Sequence, residues 1–304
     1  MIKFFAARLH SLMARLPWLA ALYLRSLHLL APGLPQLRRQ QWLNSLSTVD
    51  WGSPRLPARK VSLAGGVRLW LHPHQGEFDF EALLGGSLTY EEEVFTFLDR
   101  IISRYDAVVD IGANVGVFTC WFGSRLRGRG TVYAFEPSRK VFGRLLENVE
   151  RNGLENVRIF NCAVGQDSGF AIFTEPEGHL TNGSLVESFA RQFSSSVKKT
   201  AVPVIAADRL ATLLADHQRV LVKIDTEGYE AVVLEALAPV LAKWRPDLVV
   251  EVLPGYEEAL NAVRCLHDLG YRPSSITPEG PIPCDKIQAG RWRDCFLSVA
   301  ADPG

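Results

Sequence analysis

Five polar side chains of this 304-residue chain stand where strand-like runs end: Asp110, Glu136, Asn161, Asp225 and Glu251. Four of the five are acids. Buried like charges raise one another's pKa, so such a set is costly as structure alone. As a ligand site it suits a cationic molecule, hydroxyls that need an acceptor, or a proton to be taken up. Asp110 belongs to V-D-I-G-A-N-V-G (Val109–Gly116), a strand end, a Gly-rich turn and a helix start. The glycines let a ligand approach the backbone, and the helix N-terminus favours an anionic group. The turn reads G-x-N-x-G and not the G-x-G-x-x-G of a dinucleotide site, and Asp110 repels a pyrophosphate while suiting an ammonium. S-adenosylmethionine (SAM) carries a sulfonium, an ammonium and one carboxylate, and matches that pattern. Glu136, 24 residues after Gly112, is placed to accept both hydroxyls of a ribose. NAD would use the same device; NADP is disfavoured, because its 2′-phosphate would meet the carboxylate.

The elements that position these residues follow from the spacing of apolar side chains. Val61–Ala64 and Val67–Leu71 flank Gly65-Gly66 and predict a hairpin, and Glu91–Ile102 has helical periodicity. From Ala107 strands and helices alternate: strands at Ala107–Gly112, Thr131–Pro137, Val157–Val164, Val220–Asp225 and Asp247–Val252, with helices from Val115, Ser138, Ala231 and Glu257. A long irregular stretch separates the third strand from the fourth, and two strand-like runs, Tyr271–Ile276 and Cys295–Val299, close the chain. The alternation predicts an α/β fold with a mostly parallel sheet covered by helices on both faces. Such sheets bind ligands beyond the C-terminal ends of their strands.

The segments D-I-G-A-N-V-G-V-F, Y-A-F-E-P, N-C-A-V-G and V-K-I-D-T-E-G-Y-E, in this order, resemble the FkbM-type family of class I SAM-dependent methyltransferases. The likeness runs from about Tyr90 to Val299, and the K-I-D-x-E-G element makes it more specific than a Gly-rich loop alone. It implies a Rossmann-like seven-stranded sheet with one antiparallel strand, and methylation of a hydroxyl on a sugar or polyketide. By position it implies that Asp110, Gly112, Asn114 and Gly116 shape the methionine and ribose pocket. Glu136 would bind the ribose diol, and the turn from Asn161 to Ala163 would border the adenine. Tyr90-Glu91 resembles the Y-E pair that precedes the first strand in this family, which adds Glu91 to the cofactor set.

Methyl transfer to an alcohol needs the acceptor oxygen aligned with the methyl group and its proton received. Asp225 is the first candidate for that base or orienting group, and Glu227 the second. His179, in the irregular stretch, is a third catalytic candidate from a segment long enough to form a lid. Caps of the following helix are the bland alternative for Glu227 and Glu230. Mg²⁺ held by Asp225, Glu227 and Glu251 is a further alternative; the preferred reading assigns no metal ligands.

Composition sets limits around this reading. Hydrophobic residues make up 47% and charged residues 22%, which excludes wholesale disorder. A net charge of zero argues against broad capture of nucleic acid. The five cysteines form no C-x-x-C pair and read as reduced thiols of a cytoplasmic protein. The balance is uneven, however: residues 1–49 carry six basic side chains and no acid. Residues 1–57 are therefore expected to form a basic helical leader and Pro-rich linker, and residues 58–304 the methyltransferase domain. In residues 1–30 basic and apolar side chains fall on roughly opposite helical faces, split by Pro17. Packing on the main domain, peripheral contact with a membrane and organellar targeting all remain open for this segment. The function expected is O-methylation of a carbohydrate or other small hydroxylated molecule. N- or C-methylation, or a non-catalytic SAM-binding domain recruited through the leader, are the alternatives.

Overall fold

The runs A-V-V-D-I and V-L-V-K-I are buried at every position, as strands must be when helices cover both faces of their sheet. In a computed structural model of the chain, the residues described are 58–63, 66–74, 78–83, 86–88 and 90–299, together with 19, 22–24, 26, 27, 41–43 and 46. Two compact units are present, Met1–Tyr90 and Glu91–Gly304.

In the first unit, the expected hairpin is β1 (Arg59–Ser62) paired antiparallel with β2 (Arg68–Leu71). A two-residue strand, β3 (Gly86–Ser87), pairs parallel with β1 and is too short to show as a periodic pattern. Most of the leader, with its two expected faces and the break at Pro17, lies outside the described residues. Leu22, Tyr23, Leu24, Ser26 and Leu27 are helical, and the Ser26 hydroxyl donates to the Leu22 carbonyl at 2.9 Å. Within the expected linker, Gln41, Trp42, Leu43 and Leu46 are helical too, with Leu43 and Leu46 buried. Their spacing puts apolar side chains on one helical face, a signal that the surrounding prolines hide. Among the described residues no helix is long and apolar enough to cross a membrane.

The second unit contains β4 (Ala107–Ile111), β5 (Thr131–Phe135), β6 (Val157–Phe160), β7 (Ala163–Gly165), β8 (Gly169–Pro176), β9 (Val197–Ala206), β10 (Val220–Ile224), β11 (Asp247–Glu251), β12 (Tyr271–Thr277), β13 (Gly280–Pro283) and β14 (Asp294–Val299). Among the described residues the main sheet has eight strands in the order β13-β12-β14-β11-β10-β4-β5-β6. β6, β5, β4, β10 and β11 run parallel, and β14 enters antiparallel between β11 and β12. The strand beyond the expected seven is β13, which hairpins onto β12 at the edge. Its two prolines, Pro281 and Pro283, are tolerated there because an edge strand need not donate on both sides.

Two expectations about the middle of the chain are corrected. The third strand breaks at Asn161-Cys162, so that Ala163–Gly165 leaves the main sheet and pairs with β9. The stretch expected to be irregular holds β8, the helix Glu187–Phe193 and β9, and β7, β9 and β8 form a separate three-stranded sheet. The alternation in β8 and β9 is weak because both faces carry polar and apolar residues, and Pro203 interrupts β9.

Candidate active site

The C-terminal ends of β4, β5 and β10 converge on a cleft of about 600 Å³ of empty volume, counting its solvent-open mouth. One wall is the turn after β4. Gly112 and Ala113 donate backbone N–H groups to the Phe135 carbonyl (3.0 and 2.9 Å), and Asp225 donates its N–H to the Ile111 carbonyl (3.0 Å). The turn is thus clamped between β5 and β10. Gly112 has φ 85°, and a Cβ there would lie 1.7 Å from the Asp225 carbonyl oxygen, so only glycine fits.

Glu136, 6% exposed, reaches back to this turn. Its carboxylate accepts the N–H of Asn114 at 3.0 Å and of Ser138 at 2.7 Å, one on each oxygen. Burial pushes the carboxyl up to about 8 against the pull of those two donors, with Asp110 and Glu175 adding like charge. The lone pairs left over can still accept a ligand's hydroxyls. Phe135, Val141, Cys162, Ala163 and Val164 make the neighbouring wall apolar.

Beneath the cleft lies an ionic cluster that the sequence does not reveal. Lys223, 2% exposed, sits in the middle of β10 beside Asp110 of β4, its register partner. Its ammonium donates to Asp225 Oδ2 at 2.8 Å and lies 4.5 Å from the centre of the Phe118 ring. Burial alone would lower its pKa. The carboxylates of Asp225, Glu91, Asp110 and Asp294 outweigh burial and hold it well above the ordinary lysine value, so it stays charged. The Asp110 carboxylate accepts the Thr119 hydroxyl at 2.6 Å. Its pKa is raised by burial, opposed by Lys223 and Thr119. Glu251 and Asp294 are register partners across β11 and β14. Burial pushes both far above the carboxylate range, with like charge from Asp225 and Glu227 on Glu251 and from Glu91 on Asp294. Glu251 Oε2 is buried with no hydrogen-bond partner among the described residues.

The turn after β10 is shaped by Glu230, whose Oε1 accepts the N–H groups of Thr226 (2.8 Å) and Gly228 (3.1 Å) and the Thr226 hydroxyl (3.0 Å). Glu230 thus acts as a cap at the start of its own helix. Glu227 is held at φ 59°, Asn114 at 51° and Glu91 at 39°; with Arg245 these are the non-Gly residues with positive φ among those described. Backbone strain of this kind clusters at ligand sites. The loop after β8 closes over the cleft: Leu180, Thr181, Gly183 and Leu185 line it, and the Ser184 hydroxyl donates to the Glu227 carbonyl at 2.7 Å.

Of the residues singled out from the sequence, Gly112, Asn114, Glu136, Ala163, Asp225 and Glu227 line this one cleft. Asp110 is set back beneath it, 1% exposed. Gly116, at φ 90°, starts the helix Val117–Arg125. Asn161 lies outside the lining, and its Nδ2 donates to the carbonyls of Glu136 (2.9 Å) and Pro137 (3.2 Å), pinning the turn that carries the acid. Glu91 precedes the helix Glu92–Ile101 and faces the Lys223 cluster electrostatically. His179 stands in the covering loop with its ring 5.7 Å from that of Phe193 and does not line the cleft. Lys223, Asp294 and Thr119 are the residues missed. A lysine inside an otherwise aliphatic strand was the available signal for the first. Among the described residues no three His, Cys, Asp or Glu side chains are arranged to hold a metal ion.

Comparison with known proteins gives two curated relatives. The hexuronic acid methyltransferase AglP of Haloferax volcanii is 28% identical over 167 residues, which cover 55% of this chain and 64% of that protein. The AMB antimetabolite synthetase AmbE of Pseudomonas aeruginosa is 30% identical over 130 residues, 42% of this chain and 6% of that protein. The chain therefore spans just under two thirds of the first relative and a small part of the second. Among solved structures, the FkbM methyltransferase from Methylobacillus flagellatus aligns with a TM-score of 0.43 and 17% identity over 64% of this chain and 43% of that one. Residues 110–273 match the methyltransferase FkbM domain. That span is more than half the chain and takes in the clamped turn after β4, Glu136 and the turn after β10; the chain belongs to the FkbM methyltransferase family.

Proposed function

We propose that this chain is a SAM-dependent methyltransferase that transfers a methyl group to a hydroxyl of a carbohydrate or other small hydroxylated acceptor. The observation that carries the reading is the single cleft in which Gly112, Asn114 and Glu136 face Asp225 and Glu227. The groups present fit SAM: a carboxylate with free lone pairs for a ribose, an apolar wall for a purine, and a backbone turn open to close approach at Gly112. Bound SAM supplies an already activated methyl group, so the chain need not generate an electrophile.

What remains is the work of the protein's own side chains. Glu136 would hold the ribose hydroxyls, the Gly112–Asn114 turn would hold the methionine portion, and Ala163 would border the base. Asp225 orients the acceptor hydroxyl and receives its proton at a carboxylate oxygen, with Glu227 beside it. Lys223 positions Asp225 through the 2.8 Å contact and compensates the buried negative charge. The loop carrying Leu180, Thr181 and Leu185 excludes water from the cleft. A carbohydrate acceptor accords with the hexuronic acid specificity in the name of AglP.

Titration calorimetry with SAM and with NAD tests the cofactor. Mass spectrometry for a methylated product across sugars and polyketides tests the reaction. Asp225→Ala is expected to keep SAM affinity and lose methyl transfer; full activity in that variant removes Asp225 from the mechanism. NAD binding without SAM binding overturns the reading as a whole. Peripheral membrane contact through residues 1–30 belongs to the same proposal, and unchanged vesicle flotation after deletion of those residues overturns it.

A further inference from the structure

A second cavity, of about 940 Å³ of empty volume including its open mouth, adjoins the cleft across Pro137, Ser138 and Phe173. Its walls come from two separate elements. Arg139 and Lys140 project from the first turn of the helix Arg139–Arg151, and Lys198 and Thr200 from β9. No ion pair or side-chain hydrogen bond engages Arg139, Lys140 or Lys198 among the described residues. Thr200 Oγ1 is itself shielded from the cavity, with no hydrogen-bond partner among the described residues.

The charge placement runs against the usual preference at a helix start. The first turn of this helix holds no acid, and its two basic residues face the positive end of the helix dipole. Ser138 does not cap the helix with its side chain, because its hydroxyl donates to Glu175 Oε1 at 2.7 Å. Glu175 is the acid in the lining, and it is buried and engaged by that hydroxyl. Three cations facing one carboxylate leave a surplus of two positive charges. A doubly charged phosphate balances that surplus. Its several oxygens can use the Arg139 fork and the two ammonium groups together, which a single carboxylate cannot.

We infer that this second cavity is a phosphate-binding subsite. A phosphorylated sugar presents the same oxyanion as free inorganic phosphate. Placing that phosphate on the methyl acceptor rests on the proposed function; the anion site itself rests only on the cavity and its cations.

Calorimetric titration of the full chain with inorganic phosphate, glucose 1-phosphate and glucose tests the inference, alongside SAM in a separate titration. Both phosphate probes are expected to bind and glucose not to. The double variant Lys140→Ala/Lys198→Ala, changed at two exposed positions, is expected to weaken the phosphate probes about tenfold while leaving SAM affinity as it was. Tighter binding of glucose 1-phosphate than of phosphate assigns the site to a phosphorylated ligand, and equal binding assigns it to free phosphate. Absence of saturable binding by both probes, or affinity unchanged in the double variant, overturns the inference. Failure to bind SAM overturns the methyltransferase reading and leaves the phosphate result to stand on its own.

Discussion

Replacing Lys223 by methionine removes a cation from the middle of a buried strand while keeping a side chain of similar length. At the 2.8 Å separation from Asp225 Oδ2, the gross Coulombic attraction at an effective dielectric of about 20 is about 6 kcal/mol. Desolvation of the ammonium offsets part of this. Removing one partner of a buried pair therefore costs about 3–5 kcal/mol, because the other charge stays behind. Against a total stability of about 5–15 kcal/mol that is a large loss, to be read from urea denaturation curves. The loss should also depend on pH in one direction. Without Lys223, the folded-state pKa of Asp110, already raised by burial, rises further above its unfolded value. The folded state then binds protons that the unfolded chain does not, so stability falls as pH rises through the window between the two values. The deficit of the variant is thus expected to be larger at about pH 8 than at about pH 5. A double-mutant cycle removes the ambiguity of a merely damaged core. In the Lys223→Met background, Asp110→Asn should recover stability, since it deletes a charge that has lost its compensation. If the two substitutions add to within about 0.5 kcal/mol, the charges are not coupled and the assignment of Lys223 as the counter-ion of the cluster is refuted.

Glu136→Gln leaves one of the two backbone donors, Asn114 or Ser138, facing an amide NH₂, and removes the charge that a ribose would meet. SAM affinity should fall about 10- to 100-fold by calorimetry, and an unchanged affinity excludes Glu136 from cofactor binding. Because the Glu136 carboxyl is pushed up to about 8 and the ionised form accepts both ribose hydroxyls, SAM affinity should rise with pH until that value is passed and then level off. A flat profile contradicts this. Gly112→Ala drives a methyl group against the Asp225 carbonyl at a positive φ. It should cost at least about 2 kcal/mol of stability and weaken SAM binding, and a melting temperature equal to the parent's shows that the turn can relax.

Much of the site was legible because its signals are local. The Gly-rich turn, the acid ending β5 and the D-T-E-G turn after β10 each fall within a few residues, so the chemistry and the backbone requirement are written side by side. Gly112 is an example, since its positive φ belongs to the turn itself. The small sheet of β7, β9 and β8 was not legible, because its strands alternate weakly and Ala163–Gly165 continues directly from a strand of the main sheet. His179 shows what only the fold adds: a histidine in a loop looks chemically able, and the fold places its ring beside Phe193, outside the cleft lining.

The sequence by itself determined the alternation of strands and helices, the family, and which polar residues stand at the strand ends. These depend on short-range pattern and on turns whose dihedral angles few residues can adopt. Tertiary structure alone decided how the acids can coexist. Lys223 meets Asp110 through parallel register and Asp225 through the strand end, and Asp294 arrives on a strand seventy residues further along. Whether a buried carboxylate is compensated is a question of distances across the sheet, and no spacing along the chain contains them.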